Sequence, residues 1–458
     1  MPTLFTHQQT TRDFILANPR ALVLNEPGTG KTASVLTAYR THRKEQHGGR
    51  CLVLCPKAIM EPAWVADCRT FTPDLTIAVA AAPSQHRRSA FRYGTDIVVM
   101  NHDGVKWLTD HTELLDGFDF LVIDESTAFK NRSAQRSKAV AKLREHFDHR
   151  VLMTGTPMPN GLIDIWHQAF LADDGEALGN HFYKFRQSTH DPVPVMAGVT
   201  KWEEKEGSRD AVADLLSHMV IRYRFEDCVD IPALHTTTRS IRLPSKLQRQ
   251  YDTMLNEALL QIEESDQTVQ ALNAASLMGK LLQIASGAVY GNETQAHELD
   301  MTRYALIAEL CAERSHSLVA FQWKHQREGL IRALEQAGID NFAVIDGEHN
   351  QDTGELVERF QAGEYQVLLA QPASAGHGLT LTRARTVIWA SPTWNAELYE
   401  QFNRRIYRTS QTGSTEVIRI AAADTVDERV YAGLDHKIEG QLDLLELLQS
   451  LAPTPKAA

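Results

Sequence analysis

The chain has 458 residues, 43% of them hydrophobic and 23% charged, the make-up of an ordinary globular protein large enough for about three domains. Its net charge of −11 excludes a whole-molecule basic field, so any nucleic-acid contact has to come from local patches. Five cysteines without a CxxC pair argue against a zinc ribbon or a disulfide framework and suit a reducing compartment. A basic-then-apolar leader and an apolar run of membrane-spanning length are both missing from the sequence, so no membrane partner is expected.

Near the start, Gln8 precedes a helical spacing at Phe14-Ile15-Leu16. Its amide matches the edge of adenine, and a surface Gln at a helix start is the alternative. Next come the apolar run Ala21-Leu22-Val23-Leu24, the stretch Asn25-Glu26-Pro27-Gly28-Thr29-Gly30-Lys31-Thr32, and Ala33 to Tyr39. This predicts buried strand, glycine loop and helix. Gly28, Thr29 and Gly30 let backbone N–H groups turn inward on a phosphate chain, and the helix N-terminus adds partial positive charge. Lys31 reaches toward the β- and γ-phosphates, and Thr32 places its hydroxyl on Mg²⁺. The usual pattern has Gly six places before the Lys; Asn25 stands there.

The strand run Cys51 to Cys55 leads to Pro56-Lys57 and a helix through Trp64, then Leu75 to Val79, a basic stretch with Arg87, Arg88 and Arg92, and Asp96 to Met100. Such alternation predicts a parallel sheet with helices on both faces. Ligands of these sheets sit at the carboxyl ends of strands, where Lys57, Asn101 and His102 fall. The arginines suit phosphate contacts or a solvated helix face. Phe118 to Ile123 is a further strand, ending in Asp124-Glu125-Ser126-Thr127. Asp124 can hold Mg²⁺, and Glu125 can orient and deprotonate an attacking water. A basic helix starts at Lys130. After the strand Arg150 to Met153, Thr154-Gly155-Thr156-Pro157 and Asn160 offer hydroxyls that can bond the carboxylates, or a simple turn before Leu162.

Taken in order, Gln8, the loop at 25–32, Pro56-Lys57, Asn101, Asp124-Glu125-Ser126-Thr127, Lys130-Asn131, Thr154-Gly155-Thr156-Pro157 and Asn160 resemble the first motor lobe of the Swi/Snf-type DNA-dependent ATPases of helicase superfamily two. Two departures stand out: Asn25 replaces the family's first Asp, and Ser126-Thr127 replace its Ala-His.

Residues 166 to 223 lose the alternation. Asp191 to Gly207 reads as a loop and Ala211 to Arg224 as a helix. An extended crossover follows from Ile231 to Leu243, then long helices over Ser245 to Ile262 and Ala271 to Ala285. A second alternation runs through Leu318 to Phe321, Lys324 to Ala337, Phe342 to Ile345, Asp352 to Ala362 and Gln366 to Ala370, without a second phosphate loop, so a composite site is expected. Ser374 to Leu381, with Gly378, is similar to the family's fifth motif. Trp394-Asn395 precede Gln401-x-x-x-Arg405-x-x-Arg408-x-x-Gln411, similar to its sixth, with Tyr407 for the usual His. The i, i+4, i+7 spacing predicts Gln401, Arg405 and Arg408 on one helical face, a charge clamp for a phosphoryl group. A last strand, Thr415 to Ile420, precedes a leucine-rich closing helix from Thr425 to Leu448, whose Leu442, Leu445 and Leu448 read as core.

The resemblance implies an α/β fold of two RecA-like parallel-sheet lobes, 1–165 and 301–425, with helical insertions over 166–300 and a closing helix and disordered tail over 426–458. It implies ATP and Mg²⁺, with Gln8 on adenine, Gly28, Thr29, Gly30, Lys31, Thr32 and Gly378 at the phosphates, Asp124 on Mg²⁺, Glu125 on the water, and Arg405 and Arg408 on the γ-phosphate. It implies a monomeric motor tracking duplex DNA through Lys57, Arg87, Arg88, Asn101, Lys324 and Trp394, in bacterial or phage-infected cytoplasm. The alternatives are a strand-separating DNA or RNA helicase, or the motor subunit of a restriction or repair complex.

Overall fold

The computed structural model describes residues 2–435 apart from 46, 93, 160, 197–198, 229–232, 265–266, 291–295, 299, 348–352, 376–378, 409–410 and 412. Asn160, Gly378, the leucine stripe at 442–448 and the tail therefore lie outside the described residues. The chain divides into two units, Met1–Asp230 and Ile231–Ala458. Both are α/β.

The first unit is built on β1 (Arg20–Val23), β2 (Arg50–Cys55), β3 (Ile77–Val79), β4 (Ile97–Asn101), β5 (Phe118–Asp124) and β6 (His149–Met153). An antiparallel hairpin of β7 (His190–Met196) and β8 (Val199–Glu204) follows, then β9 (Val220–Ile221). The seven-stranded sheet has the order β3-β4-β2-β5-β6-β1-β9 and is parallel throughout. Near-continuous apolar runs suit strands covered on both faces. Alternate residues go to opposite faces: Leu52, Leu121 and Leu152 join one apolar cluster, while Val53, Val122 and Val151 join another. Across β5, β6 and β1 the register aligns Asp124 with Met153 and Met153 with Val23. The loops leaving these three strands therefore start at one level.

Two local expectations change. The segment read as a loop at 191–207 holds the β7–β8 hairpin, paired antiparallel from His190 opposite Glu204. The helix expected over 211–224 is Ser208–Leu216, and the chain then enters β9. Pairing wins there because β1 otherwise presents a row of unpaired donors: Leu22 N bonds Met219 O at 2.8 Å, Leu24 N bonds Ile221 O at 2.8 Å and Glu26 N bonds Tyr223 O at 2.9 Å. A lobe expected to end near 165 thus draws its last strand from 220–221.

The second unit carries β10 (Leu234–Ile241), the hairpin β11 (Ala288–Tyr290) and β12 (Ala296–Glu298), then β13 (Ser317–Ala320), β14 (Phe342–Ile345), β15 (Val367–Ala370), β16 (Thr386–Trp389) and β17 (Thr415–Ala422). Its six-stranded parallel sheet has the order β10-β17-β16-β13-β15-β14. The long helices Ser245–Glu264 and Gln267–Ala285 belong to this unit: Tyr251, Leu255, Leu281 and Leu282 share one buried cluster with Ile307, Leu330 and Ile418. Arg303, fully buried, ties the unit together by donating to Ala285 O, Ala390 O, Ile420 O and Asp427 Oδ2 at 2.6–2.9 Å. The ion pair is hydrogen-bonded on several sides, which is what makes burying it tolerable.

Candidate nucleotide site

The loop between β1 and the helix Lys31–Glu45 is bent by Gly28 (φ 88°) and Gly30 (φ 78°), both in the region that only glycine enters freely. Lys31 Nζ folds back on the loop, donating to Asn25 O at 2.8 Å and Glu26 O at 3.2 Å. Thr29 Oγ1 closes the turn on Glu26 O at 2.8 Å. Such a loop, opening a 15-residue helix, fits a phosphate chain by its backbone shape.

Gln8 is buried against this loop. Its Nε2 donates to Thr29 O at 3.2 Å and its Oε1 accepts from Phe5 N at 3.0 Å; His7 Nε2 meets the same Thr29 carbonyl at 2.8 Å. A Cβ on Gly30 would lie 2.1 Å from Gln8 Nε2, so glycine is needed there for contact as well as for φ. An adenine contact asks for the second donor and second lone pair of the amide.

Asn25 explains itself in this setting. Its Nδ2 donates to Thr11 Oγ1 at 3.0 Å, and its Oδ1 accepts from Tyr223 N at 2.9 Å. The hydroxyl proton of Thr11 goes to His7 O at 2.8 Å, so only lone pairs face residue 25. An amide fits both neighbours; a carboxylate meets a lone pair on one side. The chain leaving β9 completes the cradle, with Phe225 N on Glu26 Oε2 at 3.1 Å and the Phe225 ring against Gly28.

At the end of β5, Asp124 is buried, and each of its carboxylate oxygens has a donor: Trp64 Nε1 on Oδ2 and Glu125 N on Oδ1, both at 3.0 Å. His102 Nε2 holds the Asp124 carbonyl at 2.8 Å. Burial, then the neighbouring Glu125, push the Asp124 carboxyl up to about 7, against the pull of Lys31 and the two donors. Two adjacent carboxyls at a strand end with Lys31 nearby are the donor chemistry of a divalent-cation site.

Glu125 sits at φ 50°, ψ 57°, a left-handed conformation costly for a residue with a Cβ. Its Oε2 accepts from Thr154 Oγ1 at 3.3 Å, and the same hydroxyl takes Thr156 N at 3.2 Å. The threonine turn therefore does bond one of the two carboxylates, that of Glu125. Ser126, in the place of the family's Ala, donates to Gln168 Oε1 at 2.6 Å, and Gln168 Nε2 reaches Pro157 O at 2.7 Å. That chain links the carboxylate turn to the threonine turn.

Sequence reading passed over Trp64 and Thr11 as site residues. Trp64 is fully buried and delivered by a short π-helical turn, Met60–Val65. A buried indole N–H needs a partner, and π-turns gather at functional sites; both are signals, but neither names Asp124.

The second unit holds the two arginines. The regular helix there is Ala396–Asn403, so it stops before both arginines, and residues 404–408 continue in turns and bends. Gln411 ends the helix-like path by bonding Thr382 O, Ala384 O and Ile406 O at 3.1–3.2 Å. Arg405 is buried, and Arg408 Nη1 donates to Thr380 Oγ1 at 2.8 Å. Of the DNA candidates, Asn101 ends β4 in register with Cys55, the last residue of β2, and Lys57 follows β2 at the same carboxyl edge of the sheet. Arg87 and Arg88 lie on the helix Ser84–Ala90, Arg87 against Trp107 and Arg88 in an exposed pair with Glu113 at 3.8 Å. Lys324 opens the helix Lys324–Gln336, and Trp394 is exposed. Among the described residues no helix is long and apolar enough to cross a membrane.

Comparison with known proteins matches residues 7–286 to the SNF2-related domain and residues 302–410 to the helicase conserved C-terminal domain. Protein p41 of Acyrthosiphon pisum secondary endosymbiont phage 1 is 28% identical, over 97% of this chain and 98% of its own length. An uncharacterized ATP-dependent helicase of Mycoplasma genitalium is 26% identical over 89% of this chain, and YwqA of Bacillus subtilis, named for an ATP-dependent helicase/translocase, is 24% identical over 91%. The chain spans 38% and 45% of those two proteins. A Sulfolobus solfataricus SWI2/SNF2 ATPase core in complex with dsDNA aligns with a TM-score of 0.46 at 20% identity, covering 99% of this chain and 95% of that one. The domain matches extend over more than half of the sequence, and the chain belongs to the SNF2-related domain family as an ATP-hydrolysing enzyme of the ATP-dependent helicase class.

Proposed function

We propose that this chain is a translocase that spends ATP to move along duplex DNA as an intact duplex. The observation that carries the ATPase half is the linkage Lys31–loop, Asp124–Trp64 and Glu125–Thr154 at the ends of three adjacent strands. The DNA half is supported by family membership and by relatives named helicase/translocase.

In this reading Lys31 leaves the loop carbonyls for the β- and γ-phosphates. Mg²⁺ supplies charge neutralisation on the phosphates when bound, and Thr32 and Asp124 would hold it. Glu125, fixed by Thr154, accepts the proton of the attacking water. Arg405 and Arg408 offset charge on the transferring phosphoryl group. Lys57 and Asn101, with Lys324 and Trp394 from the second unit, serve DNA. The protein acts as a monomer.

ATPase rates with blunt duplex DNA, single-stranded DNA and RNA test this. Duplex should stimulate as well as single strands or better, with stimulation falling steeply as salt rises, because a net-acidic protein relies on a few phosphate contacts. RNA as the best activator would select the RNA-helicase alternative.

A further inference from the structure

At the opposite end of β5 from the nucleotide site, His42, Asp119 and His149 each present a ligand atom within 4.8 Å of the others. Five residues of strand, about 17 Å, separate Asp119 from Asp124. His42 comes from the last turn of the helix Lys31–Glu45, Asp119 from the start of β5 and His149 from the start of β6. His42 is 6% exposed and its Nε2 lies 2.9 Å from Asp119 Oδ2. Three buried atoms here have no hydrogen-bond partner: His42 Nδ1, Asp119 Oδ1 and His149 Nδ1. An aspartate oxygen can only accept, and each neutral imidazole carries one lone pair. The cluster is therefore rich in electron-pair donors and short of protons.

We propose that His42, Asp119 and His149 form a transition-metal site, filled by Zn²⁺ or a cation of similar character, that ties the helix carrying the phosphate loop to β5 and β6. Two imidazoles and one carboxylate are the donor set of three-ligand zinc sites, with a fourth position for water. A tetrahedral ion needs donor atoms roughly 3.4 Å apart, so the cluster closes modestly on binding. Backbone holds the carboxylate in place: Gly49 N donates to Asp119 Oδ2 at 2.7 Å, and a Cβ at Gly49 would sit 2.8 Å from Asp119 Oδ1. A Cβ at Gly48 would sit 2.0 Å from His42 Nε2. The cation also lies at the negative end of a 15-residue helix.

The test uses full-length chelator-stripped protein without nucleotide, in millimolar Mg²⁺ to occupy oxygen-only sites. Co²⁺ is titrated by its visible absorption and then displaced with Zn²⁺, and thermal unfolding is followed with and without Zn²⁺. His149→Phe keeps the ring stacked on Phe120, 5.5 Å between centroids, and Asp119→Asn keeps an acceptor for Gly49 N. One tetrahedral Co²⁺ per chain is expected, with Zn²⁺ raising the unfolding midpoint by a few degrees, and both variants losing affinity at least 100-fold. Absence of stoichiometric binding to the wild type, or equal binding in both variants, overturns the site.

Discussion

Trp64 Nε1 and Glu125 N grip the two oxygens of Asp124 from separate sides, each at 3.0 Å, so the carboxylate plane is set by the protein itself. Trp64→Phe keeps the ring volume and removes the donor. Leaving Oδ2 without it costs about 1–3 kcal/mol of stability. Turnover should fall roughly tenfold and the Mg²⁺ concentration for half-maximal rate should rise, because about 1.4 kcal/mol of misalignment is a factor of ten. Steady-state kinetics over a Mg²⁺ series checks both; an unchanged Mg²⁺ dependence would make Trp64 a packing residue.

Lys31→Ala and Glu125→Gln separate binding from chemistry. The first removes the loop's point charge and should weaken nucleotide binding and abolish turnover. The second keeps an acceptor for Thr154 Oγ1 but cannot take the water's proton, so ATP should bind and persist. Equilibrium binding of a fluorescent ATP analogue alongside single-turnover hydrolysis distinguishes them, and equal affinity loss in both would contradict the assigned roles.

Asn25→Asp restores the residue usual in the family, and here it should be harmful. The carboxylate would face Thr11 Oγ1, whose proton is spent on His7 O. A loss of about 1–3 kcal/mol in unfolding free energy is expected. Denaturant titration measures it, and stability equal to that of the wild type would contradict the assigned hydrogen-bond pattern at Asn25.

The nucleotide loop and the carboxylate pair were legible in the sequence because their chemistry is local: Gly28, Gly30 and Lys31 adjoin one another, as do Asp124 and Glu125. The parallel sheets were legible from apolar runs. What stayed hidden depends on contacts across long stretches of chain. Trp64 meets Asp124 sixty residues on, and Tyr223 N meets Asn25 from 198 residues away. Strand β9 was read as helix end because a two-residue pairing is decided by the exposed edge of β1, which no local pattern reports. The helix expected to run through Arg408 is shorter than its spacing suggested, ending at Asn403.

Acid should weaken both units through one buried histidine each. Burial lowers the pKa of His167 and of His325 from 6.5 to about 4. Between those values the unfolded chain binds the extra proton, so stability is full above about 6.5 and is lost as pH falls toward 4, by at most about 1.4 kcal/mol per pH unit for each histidine. His167→Asn keeps a donor for Phe129 O, and His325→Gln keeps a partner for Ser286 Oγ. Urea unfolding at pH 7, 6 and 5 should show a flatter profile in each variant than in the wild type.

The central claim is movement along intact duplex, and third-strand displacement tests it most directly. A duplex carrying a triplex-forming strand is incubated with protein and ATP, beside a forked duplex of equal length, with Glu125→Gln as the inactive control. Release of the third strand by the wild type with ATP, none by Glu125→Gln, and a fork that stays paired is the predicted result. Efficient unwinding of the fork, with the third strand left in place, would contradict it.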